Sequence, residues 1–311
     1  MTKLKKIFPQ IQENICLKDY STFKIGGRAR YFIAIENKED LIKLIENIDC
    51  PFIVLGSGSN TLISDKDFNG LAIVFKKEKP EILIEDCGEF GIIKVHASTM
   101  LSHLVLNLKN YIGLEWAVGI PGTLGGAING NAGAFEGSIS DLIESVEVFE
   151  VGKGIKEFKN NDCCFNYRNS VFKNNPNLII LSASLKLKKG NPLDKIKENI
   201  KKRKNKYPNN FSVGSIFKNY YGVVDKKILE KYPLIKKFYE KNGYVSAGLL
   251  IEECGLKGIR IGDAEISDQH ANFIINLQNA KSENILKLIN FVKKSVKKKF
   301  LIDLEEEIKI F

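Results

Sequence analysis

The chain has 311 residues, 44% of them hydrophobic, with 19 Phe and 10 Tyr. That is enough apolar material for one large core or two ordinary domains, and it excludes a disulfide-stapled miniprotein or a disordered chain. The 47 basic against 37 acidic side chains leave a net charge of +10; the excess is nearly all Lys, so it favours small anionic ligands over nucleic acid, and a lysine-rich composition explains it equally well. Cys16, Cys50, Cys87, Cys163, Cys164 and Cys254 include no C-x-x-C pair, and the three histidines lack metal-ligand spacing. Reduced, cytosolic thiols and no metal are therefore expected. No stretch reaches the roughly 18 uncharged apolar residues of a membrane span, and the basic N-terminus lacks a sustained apolar core. The expectation is a cytoplasmic protein, neither secreted nor membrane-bound.

In chain order, YFIAI reads as a strand, followed by a helix from about Glu39 to Ile48 and a second strand ending at Gly56, an α/β unit. LAIVFKK, EILIEDCG and GIIKVHAS read as further strands, and MLSHLVLNLKNYI sets Leu101, Leu104, Val105 and Leu108 on one helix face. Residues 113–137, GLEWAVGIPGTLGGAINGNAGAFEG, are too rich in glycine for ordinary helix or strand packing. ESVEVFEV and LIILSASLKLKK are strand candidates bracketing FNYRNSVF, and Pro192 to Tyr207 reads as a lysine-rich helix or connector, with a domain boundary near 190 to 210. Beyond it lie FSVGSIFKNYYG, a helix around LLIEECG, the turn-rich GLKGIRIGDAEIS and a strand FIINL. SENILKLINFVKKSVKKKF places Ile285, Leu288, Ile289, Val292 and Val296 at spacings of three and four. The seven lysines from Lys281 to Lys299 allow a nucleic-acid or membrane arm, but a core-facing stripe with a solvated back is the preferred reading. In LIDLEEEIKIF, the alternation toward Ile308 and Ile310 reads as an edge strand that turns one of Glu305, Glu306 and Glu307 inward.

Two segments can bring backbone close to a charged ligand. VLGSGSNTLI passes from an apolar strand into Gly56, Ser57, Gly58, Ser59 and Asn60, a nest of N–H and hydroxyl donors that suits a pyrophosphate; a plain Ser/Gly turn is the alternative. It is neither the dinucleotide fingerprint, since Thr61 stands at the third glycine, nor a Walker sequence. Gly119, Gly122, Thr123, Gly125 and Gly126 offer a second surface, so a planar cofactor with a charged tail is expected to lie along the two. Tyr167 and Arg168 pair an aromatic hydroxyl with a guanidinium that can hold a carboxylate or an enolate. Ser215 lies near Lys218 and Asn219 and can move a proton if suitably oriented; Glu307 is a second proton or charge-handling candidate. His270 either orients a substrate or closes a turn.

TFKIGGRA, VLGSGSN, the long glycine segment, FNYRNSVFK, SVGSIFKN, GLKGIRIGDAEISDQHANFIIN and LEEEIKI, in this order, resemble the bacterial UDP-N-acetylenolpyruvoylglucosamine reductase family over nearly the whole chain. The resemblance implies an α/β (α+β) fold: a vanillyl-alcohol-oxidase-type FAD-binding portion of two subdomains, 1–75 and 76–200, an α/β substrate-binding domain, 201–300, and a C-terminal catalytic strand, 301–311. It implies that NADPH reduces FAD and that hydride then reaches C3, and a proton C2, of the enolpyruvyl group of UDP-N-acetylglucosamine enolpyruvate, giving UDP-N-acetylmuramate. On that likeness Ser215 is the proton donor, and Arg168 and Glu307 stabilise the enolate and align its carboxylate. Gly56, Ser57, Gly58, Ser59, Asn60, Gly119, Gly122, Thr123, Gly125 and Gly126 match the FAD-embracing segments; Tyr167, Lys206, Lys218 and Asn219 match contacts to the nucleotide sugar or its phosphates. Phe211 and Val213 replace the usual proline and alanine before Ser215, Gly130 replaces a larger apolar residue, and the Tyr167-to-Ser215 spacing is similar to the family form without a long substrate-closing insertion. The implied partner is a small nucleotide sugar, with no nucleic acid, membrane or obligate protein partner. Another flavin-dependent oxidoreductase and a nonenzymatic nucleotide-sugar-binding protein are the competing readings.

Overall fold

A computed structural model describes residues 2–76, 82–135 and 137–311, without the side chains at 2, 3, 205 and 206. Lys77 and Glu81, at the ends of two strand candidates, and Glu136 of the glycine segment lie outside the described residues. Spatial contacts divide the chain into two units, grouping it differently from a division by sequence order. The first comprises Met1–Ile15, Ala29–Ser57 and Phe68–Asn205; the second comprises Cys16–Arg28, Gly58–Asp67 and Lys206–Phe311.

In the first unit, Arg28–Ile35 and Phe52–Leu55 both pair in parallel with Phe68–Phe75. Parallel neighbours need a crossover, supplied by the helix Lys38–Glu46, which buries Leu41, Leu44 and Ile45. Asn37 caps it, its side-chain oxygen accepting from the Asp40 amide at 2.7 Å. The helix stops two residues short of Ile48 because the Asn47 amide turns back to the Leu44 carbonyl, tightening the last turn. A second, antiparallel sheet runs Gly154–Lys159, Ile143–Glu150, Leu178–Lys189, Phe90–His96, Ile82–Cys87. Its long central strand buries Leu185 and Leu187 between exposed Lys186 and Lys188, the period-two pattern legible in the sequence. Helices Leu101–Asn107 and Leu124–Gly130 bury Leu101, Leu104, Leu124 and Ile128 in the same core.

The second unit has its own core around the helix Ser282–Phe300. Ile285, Leu288, Ile289, Val292 and Val296 are all buried there, so its apolar stripe faces the core. Packed with them are Leu250 and Ile251 of the helix Ala247–Glu253, and Ile266 and Ile274 of the meander Arg260–Ile261, Ala264–Ile266, Ile274–Asn276. Three residues far upstream, Phe23, Ile25 and Leu62, complete this core. Polar contacts fix them in place. The Asn276 side chain donates to the Phe23 carbonyl at 2.8 Å. Asp65 accepts from the amide (2.5 Å) and hydroxyl (2.8 Å) of Ser282 at the start of the long helix. Thr61–Leu62 pairs in parallel with Lys309–Ile310. The edge strand read in the C-terminal segment is thus real but short, and begins after Glu307. Among the described residues no helix is long and apolar enough to cross a membrane.

Candidate active site

Gly56, from the first glycine segment, meets Thr123 of the second inside the first unit. A Cβ added at Gly56 would stand 2.9 Å from the Thr123 hydroxyl, closer than side-chain carbons approach, so any larger residue would have to displace that hydroxyl. That hydroxyl is also the cap of the helix Leu124–Gly130, accepting from the Gly126 amide at 3.2 Å. The amides of Leu124 and Gly125 donate to the carbonyls of Thr99 and Ala97, both at 2.8 Å. The amides of Gly125 and Gly126 are therefore engaged within the protein, and a Cβ at Gly125 would stand 3.1 Å from that of Ala97, so the bare backbone at Gly125 serves the packing of the helix start. Gly119 and Gly122 lie just before the helix with φ of 71° and 146°. At Gly130 a Cβ would meet nothing within 4 Å, so the chain has room there for the larger residue it lacks.

Tyr167 and Arg168 are half-buried in the same unit. Arg168 adopts a left-handed conformation, φ 52°, and its guanidinium donates to the main-chain oxygens of Asn131 (3.3 Å) and Gly133 (2.5 Å) while lying 5.3 Å from the centre of the Tyr167 ring. The arginine is thereby anchored to the C-terminal half of the glycine-rich segment, an arrangement in which main-chain dipoles fix the direction of the charge.

Gly58, Ser59 and Asn60 belong to the second unit. Gly58 has φ 63°, and a Cβ there would collide with the Tyr20 carbonyl. Its own carbonyl accepts from the Thr22 amide at 3.3 Å, and the Thr22 hydroxyl donates to the Ser212 carbonyl at 2.7 Å. Asn60 donates through its side chain to the Glu307 carbonyl at 3.4 Å and accepts from the Lys309 amide at 3.0 Å. The Glu307 amide in turn donates to the Ile216 carbonyl at 2.8 Å. Asn60, Glu307 and the residue following Ser215 are thus linked in one hydrogen-bonded chain, although 247 residues separate Asn60 from Glu307. Ser215 and Glu307 are both half-buried.

Lys218 and Asn219 continue the Ser215 segment. Lys218 pairs with Glu305 at 3.2 Å, and the Asn219 side-chain oxygen accepts from the Ala247 amide at 3.2 Å, at the start of the helix Ala247–Glu253. Glu306 is engaged by Lys293 at 2.9 Å, so two of the three consecutive glutamates sit in ion pairs. Lys309, two residues past Glu307, lays its ammonium 4.5 Å from the centre of the Phe311 ring, and burial pushes its pKa down. The Lys206 side chain lies outside the described residues. His270 closes a turn: its Nδ1 accepts from the Asn272 amide at 3.3 Å, and its ring packs against those of Tyr207 and Phe273. Sequence reading gave no individual role to Thr22 or Asn272. Both lie within quoted motifs, TFKIGGRA and GLKGIRIGDAEISDQHANFIIN, a usable signal, but neither residue type announces which main-chain group it reaches.

Comparison with known proteins divides the chain by sequence order. Residues 29–156 match the profile of the FAD binding domain, and residues 206–311 match that of the UDP-N-acetylenolpyruvoylglucosamine reductase C-terminal domain. The chain is 39% identical over 303 residues to UDP-N-acetylenolpyruvoylglucosamine reductase of Caldicellulosiruptor bescii, covering 94% of this chain and 88% of the relative. The chain belongs to the UDP-N-acetylenolpyruvoylglucosamine reductase family. The same enzyme of Fusobacterium nucleatum is 37% identical over 298 residues, covering 94% and 96%. The crystal structure of the reductase from Thermus caldophilus superposes with a TM-score of 0.74 at 32% identity, covering 96% of this chain and 97% of that one. Membership makes the chain a flavoprotein oxidoreductase of peptidoglycan precursor synthesis, in a family that reduces enolpyruvyl-UDP-N-acetylglucosamine to UDP-N-acetylmuramate. Gly119 and Gly122, both at positive φ just before the helix Leu124–Gly130, leave main chain without side chains there, which fits the near backbone contact that the pyrophosphate of FAD needs.

Proposed function

We propose that the chain catalyses the NADPH-dependent reduction of UDP-N-acetylglucosamine enolpyruvate to UDP-N-acetylmuramate. Bound FAD supplies the two-electron carrier between NADPH and C3 of the enolpyruvyl group. Gly56 to Asn60 and Gly119 to Gly126 hold that cofactor; Tyr167, Lys206, Lys218 and Asn219 bind the nucleotide sugar. Ser215 gives its hydroxyl proton to C2, and Arg168 and Glu307 stabilise the enolate and align its carboxylate. The reaction takes place in the cytoplasm and calls for no protein partner.

The observation that supports the proton-donor reading is the main-chain link from Glu307 to Ile216, which fixes the segment carrying Ser215 beside the one carrying Glu307. A neutral hydroxyl is a weak acid and transfers a proton efficiently only when its aim is set before the charge appears. The test separates the two halves of the cycle. Ser215→Ala is expected to leave flavin reduction by NADPH within about 2-fold while slowing the substrate-reducing half by about 100-fold or more. Equal slowing of both halves contradicts the assignment, and an absence of substrate-dependent NADPH oxidation in the parent protein contradicts the function.

A further inference from the structure

Asn272 is 5% exposed, and a carboxamide buried to this degree is stable only when both its ends are engaged. Both ends engage a single residue. The side-chain oxygen accepts from the Phe217 amide at 3.0 Å, and the side-chain nitrogen donates to the Phe217 carbonyl at 2.9 Å. The Asn272 main-chain carbonyl adds a third bond, accepting from the Ile216 amide at 2.9 Å. Ser215 is the residue immediately before this clamped pair.

The opposite side of the same segment is held by the C-terminal strand region. Glu307 donates to the Ile216 carbonyl, and Lys218 donates to the Glu305 carbonyl at 2.9 Å. Those bonds belong to an isolated bridge between Phe217 and Glu306, too short to define a strand by itself. Asn272 substitutes for the missing neighbouring strand, presenting one donor and one acceptor in the spacing of a peptide group. Its own position is set by the turn that precedes it. The Ser267 hydroxyl accepts from the amides of Gln269 (3.2 Å) and His270 (3.4 Å), the His270 ring accepts from the Asn272 amide, and the Phe273 amide closes onto the His270 carbonyl at 2.9 Å.

We infer that Asn272 is a positioning residue: by clamping Ile216 and Phe217 it fixes the aim of the Ser215 hydroxyl during proton delivery to C2 of the substrate. The inference rests on the proton-donor reading of Ser215, and acts through that residue, without contact of its own to the substrate. Loss of the clamp lets the main chain after Ser215 shift, and small misplacements of a reacting group are costly in rate.

Asn272→Ala removes both side-chain bonds. Asn272→Asp keeps the volume and the acceptor for the Phe217 amide but sets an oxygen against the Phe217 carbonyl. In the FAD-loaded protein, both are expected to slow the substrate-reducing half by about 10- to 100-fold, with flavin reduction by NADPH within about 2-fold of the parent and substrate KM little changed. The decisive measurement is the double variant. If Asn272 acts through Ser215, adding Asn272→Ala to Ser215→Ala costs less than about 3-fold more, because the hydroxyl whose aim was lost is already gone. A multiplicative loss in the double variant, an unchanged substrate half, or equal slowing of both halves overturns the inference. Should Asn272→Ala fail to fold, Asn272→Asp carries the same comparison; failure of both to fold makes the residue purely structural and overturns it as well. Absence of any half-reaction separation in Ser215→Ala alone sinks the underlying reading instead, a result visible before Asn272 is changed.

Discussion

Cys163 shows what burial does to a single titratable group. It is fully buried, donates from sulfur to the Lys159 carbonyl at 3.3 Å, and its thiol is pushed up to about 12 by burial, with Asp162 adding to the effect. A raised pKa means that the folded state holds the proton more tightly than the unfolded chain. The associated stability is whole below the unfolded value near 9.0 and is lost as pH rises toward about 12. At pH 8 a thiol reagent is therefore expected to modify the exposed Cys87 and Cys164 and spare Cys163 until the protein unfolds. Peptide mass mapping checks this; modification of Cys163 as fast as Cys164 would show that the site opens readily. The proposed catalytic side chains were legible as residue types in motifs, since serine, arginine and glutamate announce their chemistry. Asn272 and Thr22 were not, because their roles lie in which carbonyl or amide they reach, and that depends on residues 55 and 190 positions away.

At the scale of elements, the sequence was most readable where periodicity is long. The 19-residue helix Ser282–Phe300 and the twelve-residue strand Leu178–Lys189 carry many turns of one pattern, so a local reading suffices. The two-residue strands Thr61–Leu62 and Lys309–Ile310 carry no such signal, and their pairing is entirely non-local. The start of the long helix depends on another remote element. Asp65 binds Ser282 through its amide and hydroxyl, a carboxylate at the positive end of nineteen aligned peptide dipoles. Asp65→Ala is expected to lower unfolding stability by about 1–2 kcal/mol, with Asp65→Asn intermediate because it retains an acceptor without the charge. Urea unfolding measures both, and an unchanged midpoint for Asp65→Ala would mean that the carboxylate contributes nothing to the helix.

For the whole molecule, the discontinuous second unit is the main departure from what sequence order suggests. The reductase C-terminal profile begins at residue 206, yet the core of that unit includes Phe23, Ile25 and Leu62. A fragment of residues 206–311 is therefore expected to lack part of its core and to leave the Phe23-facing carboxamide of Asn276 without its carbonyl partner. Near-ultraviolet circular dichroism and dye binding should report a loosely packed chain. A cooperative unfolding transition from the fragment alone would show that the upstream segments are dispensable.

The pairing of residues near 60 with those near 308 also sets a clock. Asn60 precedes its partner Glu307 by 247 positions, so at about 5–20 residues per second a ribosome needs about 12–50 s to supply that partner. During this interval Leu62 has been made but its partner strand has not, and a chaperone that shields short apolar segments near the nascent N-terminus would have its greatest effect on yield.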